Sequence, residues 1–375
     1  MQQGKINIVL DGQWGSTGKG KVASYLALRD SPDVAVCNFA TNAGHWFRSR
    51  KLGDFLVQQL PSATINPAVR HLIINAGSAI TLETLFDEIQ QFEKAGIDVR
   101  SRLIIDRNAA IITKLHKEQE ASLYKISSTQ KGCGAAYAAK IMRGEAACLA
   151  KDVSDLSGFI ACAADALHDM MDQGATVLGE TAQGFDLSLN HGTRYPYVTS
   201  RDITPMTFLS DCGVPAVYLG DVYGVLRTFP IRVGNVYDQH GDMVGSSGPR
   251  HDDQEELTWE AVSTIAGREI SERTTVTKKI RRVFSFSAIQ TSRFVHYCNP
   301  SAFAINFCDY FPDINETSTY KSLMNSVSMR EVMEKISSVC GVLTVLFGTG
   351  ADNDAVVDLM KPKQSISDWW DGAHV

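Results

Sequence analysis

No stretch of this 375-residue chain approaches the roughly 18 to 20 consecutive apolar residues of a membrane-spanning helix. The chain also lacks an excess of positive charge. Its 36 Lys and Arg against 42 Asp and Glu leave a net charge of −6, which argues against broad electrostatic binding to nucleic acid. There is no basic stripe and no nucleic-acid recognition motif, so a DNA-binding or purely structural role has no support. The eight cysteines, at 37, 133, 148, 162, 212, 298, 308 and 340, form no Cys-x-x-Cys pair and no zinc spacing. They read as reduced, mostly buried thiols. Internal repeats and low-complexity segments are absent. The N-terminus runs straight into an apolar segment, so no signal peptide is expected.

What is present fits an ordinary globular protein large enough for a sizeable core: 44% hydrophobic and 21% charged residues. Short apolar, β-like runs recur at Val34–Phe39, His71–Asn75, Arg102–Ile105, Thr176–Leu178, Ala216–Leu219, Phe303–Asn306 and Val342–Phe347. Helix-like stretches such as Leu82–Ala95 and Ala109–Tyr124 lie between them. That alternation predicts an α/β fold with a central, mainly parallel sheet flanked by helices. The polar segment Tyr237–Glu256, with His240 and His251, reads as a solvated loop around its Gly-Ser-Ser-Gly-Pro interior rather than a metal site. The tail with Trp369 and Trp370 is expected to pack on the body or on a second subunit.

The most informative segment is Gln13-Trp14-Gly15-Ser16-Thr17-Gly18-Lys19-Gly20-Lys21. The apolar run Ile6–Leu10 before it reads as a buried strand, and Val22–Leu28 after it has helical apolar spacing. In a strand, glycine-rich turn and helix start, backbone N–H groups converge on an anion, and a lysine such as Lys19 reaches a transferring phosphoryl group. The loop departs from the ordinary pattern. Five residues separate Gly12 from Gly18, and Gly20 stands where a Ser or Thr would hold magnesium.

Four further blocks follow in order. Asn42-Ala43-Gly44-His45 places a histidine on a turn after the second predicted strand, where α/β sites assemble. The segment Ser127-Ser128-Thr129-Gln130-Lys131-Gly132, with Lys140 and Arg143 beyond it, is a hydroxyl-rich turn able to cap a helix or bind phosphate. Glu180-Thr181-Ala182-Gln183-Gly184 precedes His191-Gly192-Thr193-Arg194-Tyr195-Pro196-Tyr197-Val198-Thr199-Ser200. Thr274–Arg282 is a compact cationic loop.

In this order the blocks resemble the adenylosuccinate synthetase family over nearly the whole chain. The family's loop reads Gln-Trp-Gly-Asp-Glu-Gly-Lys-Gly-Lys, its next turn is also Asn-Ala-Gly-His, and Arg194 is a one-residue insertion into His-Gly-Thr-Tyr-Pro-Tyr-Val-Thr-Ser. The resemblance implies a single P-loop-related catalytic domain over residues 1–375. It implies a ligase in which the purine 6-oxygen takes a phosphoryl group that the amine of aspartate then displaces. By the same resemblance Lys19, His45, Gln183 and Ser16 occupy the catalytic positions, His45 as general acid and Gln183 on the 6-oxyanion. The carbonyl of Gly44 would ligate Mg²⁺. The donor nucleotide would contact Gly15, Gly18, Lys19, Gly20 and Lys21, then Asp309 and the turn Gly348-Thr349-Gly350. The acceptor nucleotide would contact Ser16, Asn42, Ser128, Thr129, Gln183, Thr199 and Val233, with Lys279 at the sugar. Arg143 would reach the acceptor phosphate of a neighbouring subunit, which requires at least a homodimer. Aspartate would be gripped by Thr275, Val276, Thr277, Lys279 and Arg281, where a guanidinium suits a carboxylate best.

Three departures bear on the substrate. The family's guanine-recognising Thr-Lys-Leu-Asp corresponds to Asn306-Phe307-Cys308-Asp309, which points away from GTP towards ATP or dATP. Lys279 replaces an arginine that touches the ribose. Ser16 replaces the aspartate that removes the N1 proton, and a serine is no base near neutral pH without an activating partner. A guanine ring carries a 2-amino group beside N1; serine is smaller, uncharged, and both donates and accepts hydrogen bonds. The pattern is similar to a phage branch of the family that acts on dGMP, aspartate and an adenine nucleotide, in which case the setting is the host cytoplasm. Two alternatives stand beside it: a conventional enzyme using IMP and GTP, and a nucleotide-binding regulator that has lost its base.

Overall fold

The computed structural model describes residues 1–121, 126, 129–240, 242–274 and 279–360. Ten strands form the central sheet. In chain order they are β1 (Ile6–Asp11), β2 (Val34–Cys37), β3 (His71–Ile74), β4 (Leu103–Asp106), β5 (Ile160–Ala161), β6 (Val177–Gly184), β7 (Leu219–Arg227), β8 (Ala302–Asn306), β9 (Thr344–Gly348) and β10 (Val356–Asp358). Their order across the sheet is β10-β9-β8-β7-β1-β6-β2-β3-β4-β5. Every neighbouring pair is parallel except β9 with β10.

Both faces of the sheet are buried, and the alternation of the strands shows how. Ile6, Ile8 and Leu10 of β1 join Val34 and Val36 of β2 in one hydrophobic cluster. Val9, Ala35 and Cys37, pointing the other way, join a second. A parallel sheet covered by helices on both sides needs such near-continuous apolar strands. On the second face the helix Leu82–Lys94 buries Leu85, Glu88, Ile89 and Phe92, a spacing that keeps one stripe against the core. The helix after β1, α1 (Lys19–Asp30), is instead buried along almost its whole length. It is an interior element that starts at the centre of the sheet.

β1 lies mid-sheet, with β6 on one side and β7 on the other. Where parallel strands leave a central strand in both directions, their carboxyl ends open a crevice, and ligands bind there.

Several sequence-based boundaries move. The run Ala216–Leu219 is mostly a 3-10 turn, Ala216–Tyr218, and the strand is Leu219–Arg227. The helix expected over Ala109–Tyr124 starts only at Lys114, because Ala110–Ile111 pairs with Ala79–Ile80 as a small buried parallel ladder. His251 is not on a solvated loop: it is buried, bonded through Nε2 to Asp186 at 2.6 Å and stacked on Trp14. Among the described residues, no cluster of three or more His, Cys, Asp or Glu side chains could hold a metal, and no helix is long and apolar enough to cross a membrane.

Candidate active site

The glycine-rich loop leaves β1 at Asp11 and is shaped by positive φ at Gly15 (87°), Ser16 (57°) and Gly18 (82°). For Ser16 this left-handed conformation costs of the order of 1–2 kcal/mol and needs support from the surroundings. That support is on both sides of the residue. The Asp11 carboxylate accepts the backbone N–H of Gly15 and of Thr17, and Arg227 donates to the Ser16 carbonyl at 3.0 Å. Ser16 itself is exposed. Gly18 caps α1 without a side-chain bond, and the first turn of the helix holds no acidic residue, so its N–H groups remain for an anion.

Both lysines of the loop are buried. Lys19 Nζ lies 3.2 Å from Asp11 Oδ2 and donates to the Gln183 carbonyl at 2.8 Å. Lys21 Nζ donates to the carbonyls of Gly350 and Ala355, tying the loop to the turn after β9. Burial lowers the Lys21 pKa to about 8, although Asp309 and other nearby acids pull it upward.

His45 opens the hairpin His45–Ser49/Gly53–Val57 and is buried beside α1. Its Nδ1 lies 2.6 Å from Glu180 on β6, whose carboxylate also accepts from the Ser62 N–H and hydroxyl. A carboxylate in that position favours a proton on Nδ1 and leaves Nε2 outside the pair. Burial lowers the His45 pKa below its usual value, and Glu180 offsets only part of this.

Of the residues expected to meet the acceptor nucleotide, Gln183 lies at the same strand ends. Gln183 ends β6 with φ 62°, and Gly184 approaches the loop so closely that a Cβ there would lie 2.3 Å from the Gln13 carbonyl. Thr41, next to Asn42, contacts Cys133 at the start of the helix Cys133–Met142. Arg201, two residues beyond Thr199, donates to the carbonyls of Asn38 and Gly77. Thr129 is half-buried, and Arg143 is exposed at the C-cap of that helix. Ser128 lies outside the described residues, as do Thr275, Val276 and Thr277 of the cationic loop.

The remainder of the cationic loop is anchored to the site. Arg281 donates its N–H to the Glu272 carbonyl, and Lys279 N–H donates to the Thr274 hydroxyl. Gly234, beside Val233, packs so tightly that a Cβ would meet the Ile280 carbonyl at 2.3 Å. Glu272 pairs with Arg227, which is fully buried and grips Ser16, so the cationic loop and the phosphate loop share one ion pair.

In the segment expected to meet the donor nucleotide, Phe307 has φ 60° and lies over the Arg227 guanidinium, 3.8 Å from ring centre to Cζ. Asp309 pairs with Arg268 at 2.8 Å, and burial raises its pKa against the pull of Lys21 and Arg268. Asn306 donates to the carbonyls of Thr17 and Gly18, and Thr349 is buried in the turn after β9.

Four residues of this site were missed by sequence reasoning: Asp11, Glu180, Arg227 and Glu272. Each is charged: Asp11 and Arg227 end their strands, Glu180 lies within β6, and Glu272 lies just before the cationic loop. Glu180 stood inside a recognised motif, and Asp11 directly preceded the first glycine; Arg227 and Glu272 gave no local signal.

A phosphate loop, a carboxylate-oriented histidine and a cationic loop at the carboxyl ends of a parallel sheet define an enzyme that activates a substrate with a nucleoside triphosphate. The chain belongs to the adenylosuccinate synthetase family, whose model matches residues 8–155 and 145–340. It is 38% identical over 345 residues to the N6-succino-2-amino-2'-deoxyadenylate synthase of Acinetobacter phage SH-Ab 15497, covering 84% of this chain and 87% of that protein. It is 34% identical over 361 residues to the adenylosuccinate synthetase of Pyrococcus sp. (strain ST700), covering 94% and 97%. The solved structure of the cyanophage S-2L succinoaminodeoxyadenylate synthetase, bound to dGMP and dATP as an energy donor, superposes with a TM-score of 0.81 at 28% identity, covering 98% of this chain and 97% of that one. The enzyme class is therefore a C–N bond-forming ligase.

Proposed function

We propose that this chain condenses L-aspartate with dGMP at carbon 6 of the base, driven by ATP or dATP, to give N6-succino-2-amino-2'-deoxyadenylate. The observation that carries the reading is Ser16: exposed, uncharged, and held by Asp11 and Arg227 in the left-handed conformation. An aspartate there would set a negative charge and more bulk against the 2-amino edge of guanine. The phage relatives and the dGMP- and dATP-bound neighbour support the same acceptor and donor.

The dGMP 6-oxygen attacks the γ-phosphorus as N1 gives up its proton to solvent, and the bond to the β–γ bridging oxygen breaks, giving ADP or dADP and a 6-phosphoryl purine. The aspartate amine then adds at carbon 6, loses a proton to solvent, and phosphate leaves. Lys19 and the N–H groups at the start of α1 stabilise charge on the phosphoryl in flight. His45 donates to the 6-oxygen through Nε2 when it is the imidazolium, the form that Glu180 on Nδ1 stabilises against the cost of burial, and Gln183 donates to that oxygen as charge develops. Arg281, with Thr275 and Thr277, holds the dicarboxylate.

Mg²⁺ is the cofactor this donor set fits. The Gly44 carbonyl would hold it, and with no cluster of three acidic, His or Cys ligands among the described residues the ion would depend on substrate oxygens and water, which suits Mg²⁺. When bound, it neutralises charge on the β- and γ-phosphates. Residues 1–375 act as one catalytic unit, working as a homodimer in which exposed Arg143 enters the neighbouring site. The product test is mass spectrometry after incubation with dGMP, aspartate, ATP and Mg²⁺. The expected species is dGMP plus aspartate less one water, and its absence with intact dGMP would overturn the proposal.

A further inference from the structure

We infer that Asp11 is a positioning residue for the phosphoryl transfer, setting the direction of Lys19 and the shape of the loop at Ser16. Its side chain has no exposed surface. Oδ1 accepts the N–H of Gln13 at 2.8 Å and of Gly15 at 3.3 Å. Oδ2 accepts the Thr17 N–H at 3.4 Å, the Thr17 hydroxyl at 2.6 Å and Lys19 Nζ at 3.2 Å.

Five donors fill the roughly four lone-pair directions of a carboxylate. That saturation, with full burial, decides between two roles. A base that takes a substrate proton needs a free lone pair within reach of the substrate, and Asp11 has none. It therefore does not replace the acid missing at position 16.

What it does is electrostatic and geometric. A buried ammonium without a counter-charge is costly, and the Asp11–Lys19 pair removes that cost. The second bond of Lys19, to the Gln183 carbonyl, leaves the ammonium one fixed direction, between the phosphate loop and the end of β6. The bonds to Gly15 and Thr17 bracket Ser16, so the same carboxylate that aims the lysine also holds the strained peptide beside the acceptor. Gly184 leaves the room for this, since a Cβ there would come within 2.7 Å of Asp11 Oδ1.

The inference rests on Lys19 serving the phosphoryl group, and its test separates from that of the acceptor. Asp11→Asn, Lys19→Ala and the double variant are assayed for phosphate release with whichever of dGMP and IMP the wild type turns over. Asp11→Asn keeps the shape and the Oδ1 bonds but loses the charge facing Lys19. The expected result is a fall in kcat of about 10²-fold, with KM for ATP within about threefold, because misdirecting a catalytic group costs that much. The double variant should lose no more than about threefold beyond Lys19→Ala alone, since Asp11 acts on the chemistry through Lys19 and Asp11→Asn keeps the Oδ1 bonds that shape the loop at Ser16. Multiplicative losses in the double variant, or Asp11→Asn retaining its kcat while folded, would overturn the inference. Should Asp11→Asn fail to fold, Thr17→Val removes the 2.6 Å bond to the same oxygen and must show the same non-additivity with Lys19→Ala.

Discussion

Ser16 is exposed and His45 is buried, and each position sets what a substitution there can reveal. Ser16→Asp adds charge and bulk against the guanine edge, so kcat/KM for dGMP should fall by about tenfold or more. An unchanged rate would show that position 16 does not read the acceptor. His45→Asn removes the proton at the 6-oxygen and should cost about 10²- to 10⁴-fold in turnover, with nucleotide binding retained in a titration. Persistent turnover would remove His45 from its role. The same histidine makes stability pH-dependent. Its pKa is lowered in the folded state, so the unfolded chain takes up the proton first, and stability present above the ordinary histidine value of about 6.5 is lost as pH falls through it. The denaturant midpoint should drop between pH 7.5 and 5.5, and His45→Asn should flatten that drop; equal slopes in both proteins would contradict it. Lys21 gives the counterpart for the donor. With a pKa of about 8 in the free protein, it is raised by a bound triphosphate, so ATP binding above pH 8 takes up a proton and weakens by up to about tenfold per pH unit. Calorimetry in buffers of different ionisation enthalpy reads that proton directly; no uptake at pH 9 would place Lys21 away from the phosphates.

The junction of β6 with the phosphate loop is a close contact of backbone on backbone. A Cβ on Gly184 would lie 2.3 Å from the Gln13 carbonyl and 2.4 Å from the Gly15 nitrogen, both backbone atoms. Gly184→Ala should therefore displace the loop and cost about 10²-fold in kcat, and full activity in that variant would mean that the loop tolerates displacement. At this scale the sequence was partly legible. Glycine-rich turns and short apolar runs marked β1, its loop and α1, because local turn chemistry and burial agree there. The start of β7 was not legible, since Gly220, Asp221 and Gly224 interrupt its apolar pattern while the strand is held by its neighbours β1 and β8. The Ala110–Ile111 ladder was read as helix because its partner strand lies 31 residues earlier in sequence at Ala79–Ile80. Arg227 and Glu272 escaped for the same reason: they pair with each other across 45 residues of chain. Asp11 escaped although its partners Gln13, Gly15, Thr17 and Lys19 lie close by in sequence, because its bonds form only once the loop folds back over the end of β1.

At the scale of the whole molecule, the order of motifs along the chain was enough to reach the family, and the sheet explains why. The phosphate loop follows β1, Asn42–His45 follows β2, Glu180–Gly184 ends β6, Asn306–Asp309 begins at the end of β8 and Gly348–Gly350 at the end of β9, so motifs far apart in sequence stand at the carboxyl ends of strands in one sheet. The proposed homodimer makes its own prediction. Arg143→Ala and His45→Asn should each be inactive alone, yet mixed and reassociated subunits should regain about one quarter of wild-type activity, because half the dimers then hold one intact site. No recovery on mixing, with subunit exchange verified, would place Arg143 in its own subunit's site or outside any. The central claim concerns the acceptor, and the most direct measurement is phosphate release by the purified protein with Mg²⁺, aspartate and ATP, comparing dGMP with IMP at equal concentration. The account predicts release with dGMP and little or none with IMP. Release with IMP alone would contradict it and make this a conventional purine enzyme working without an aspartate at position 16.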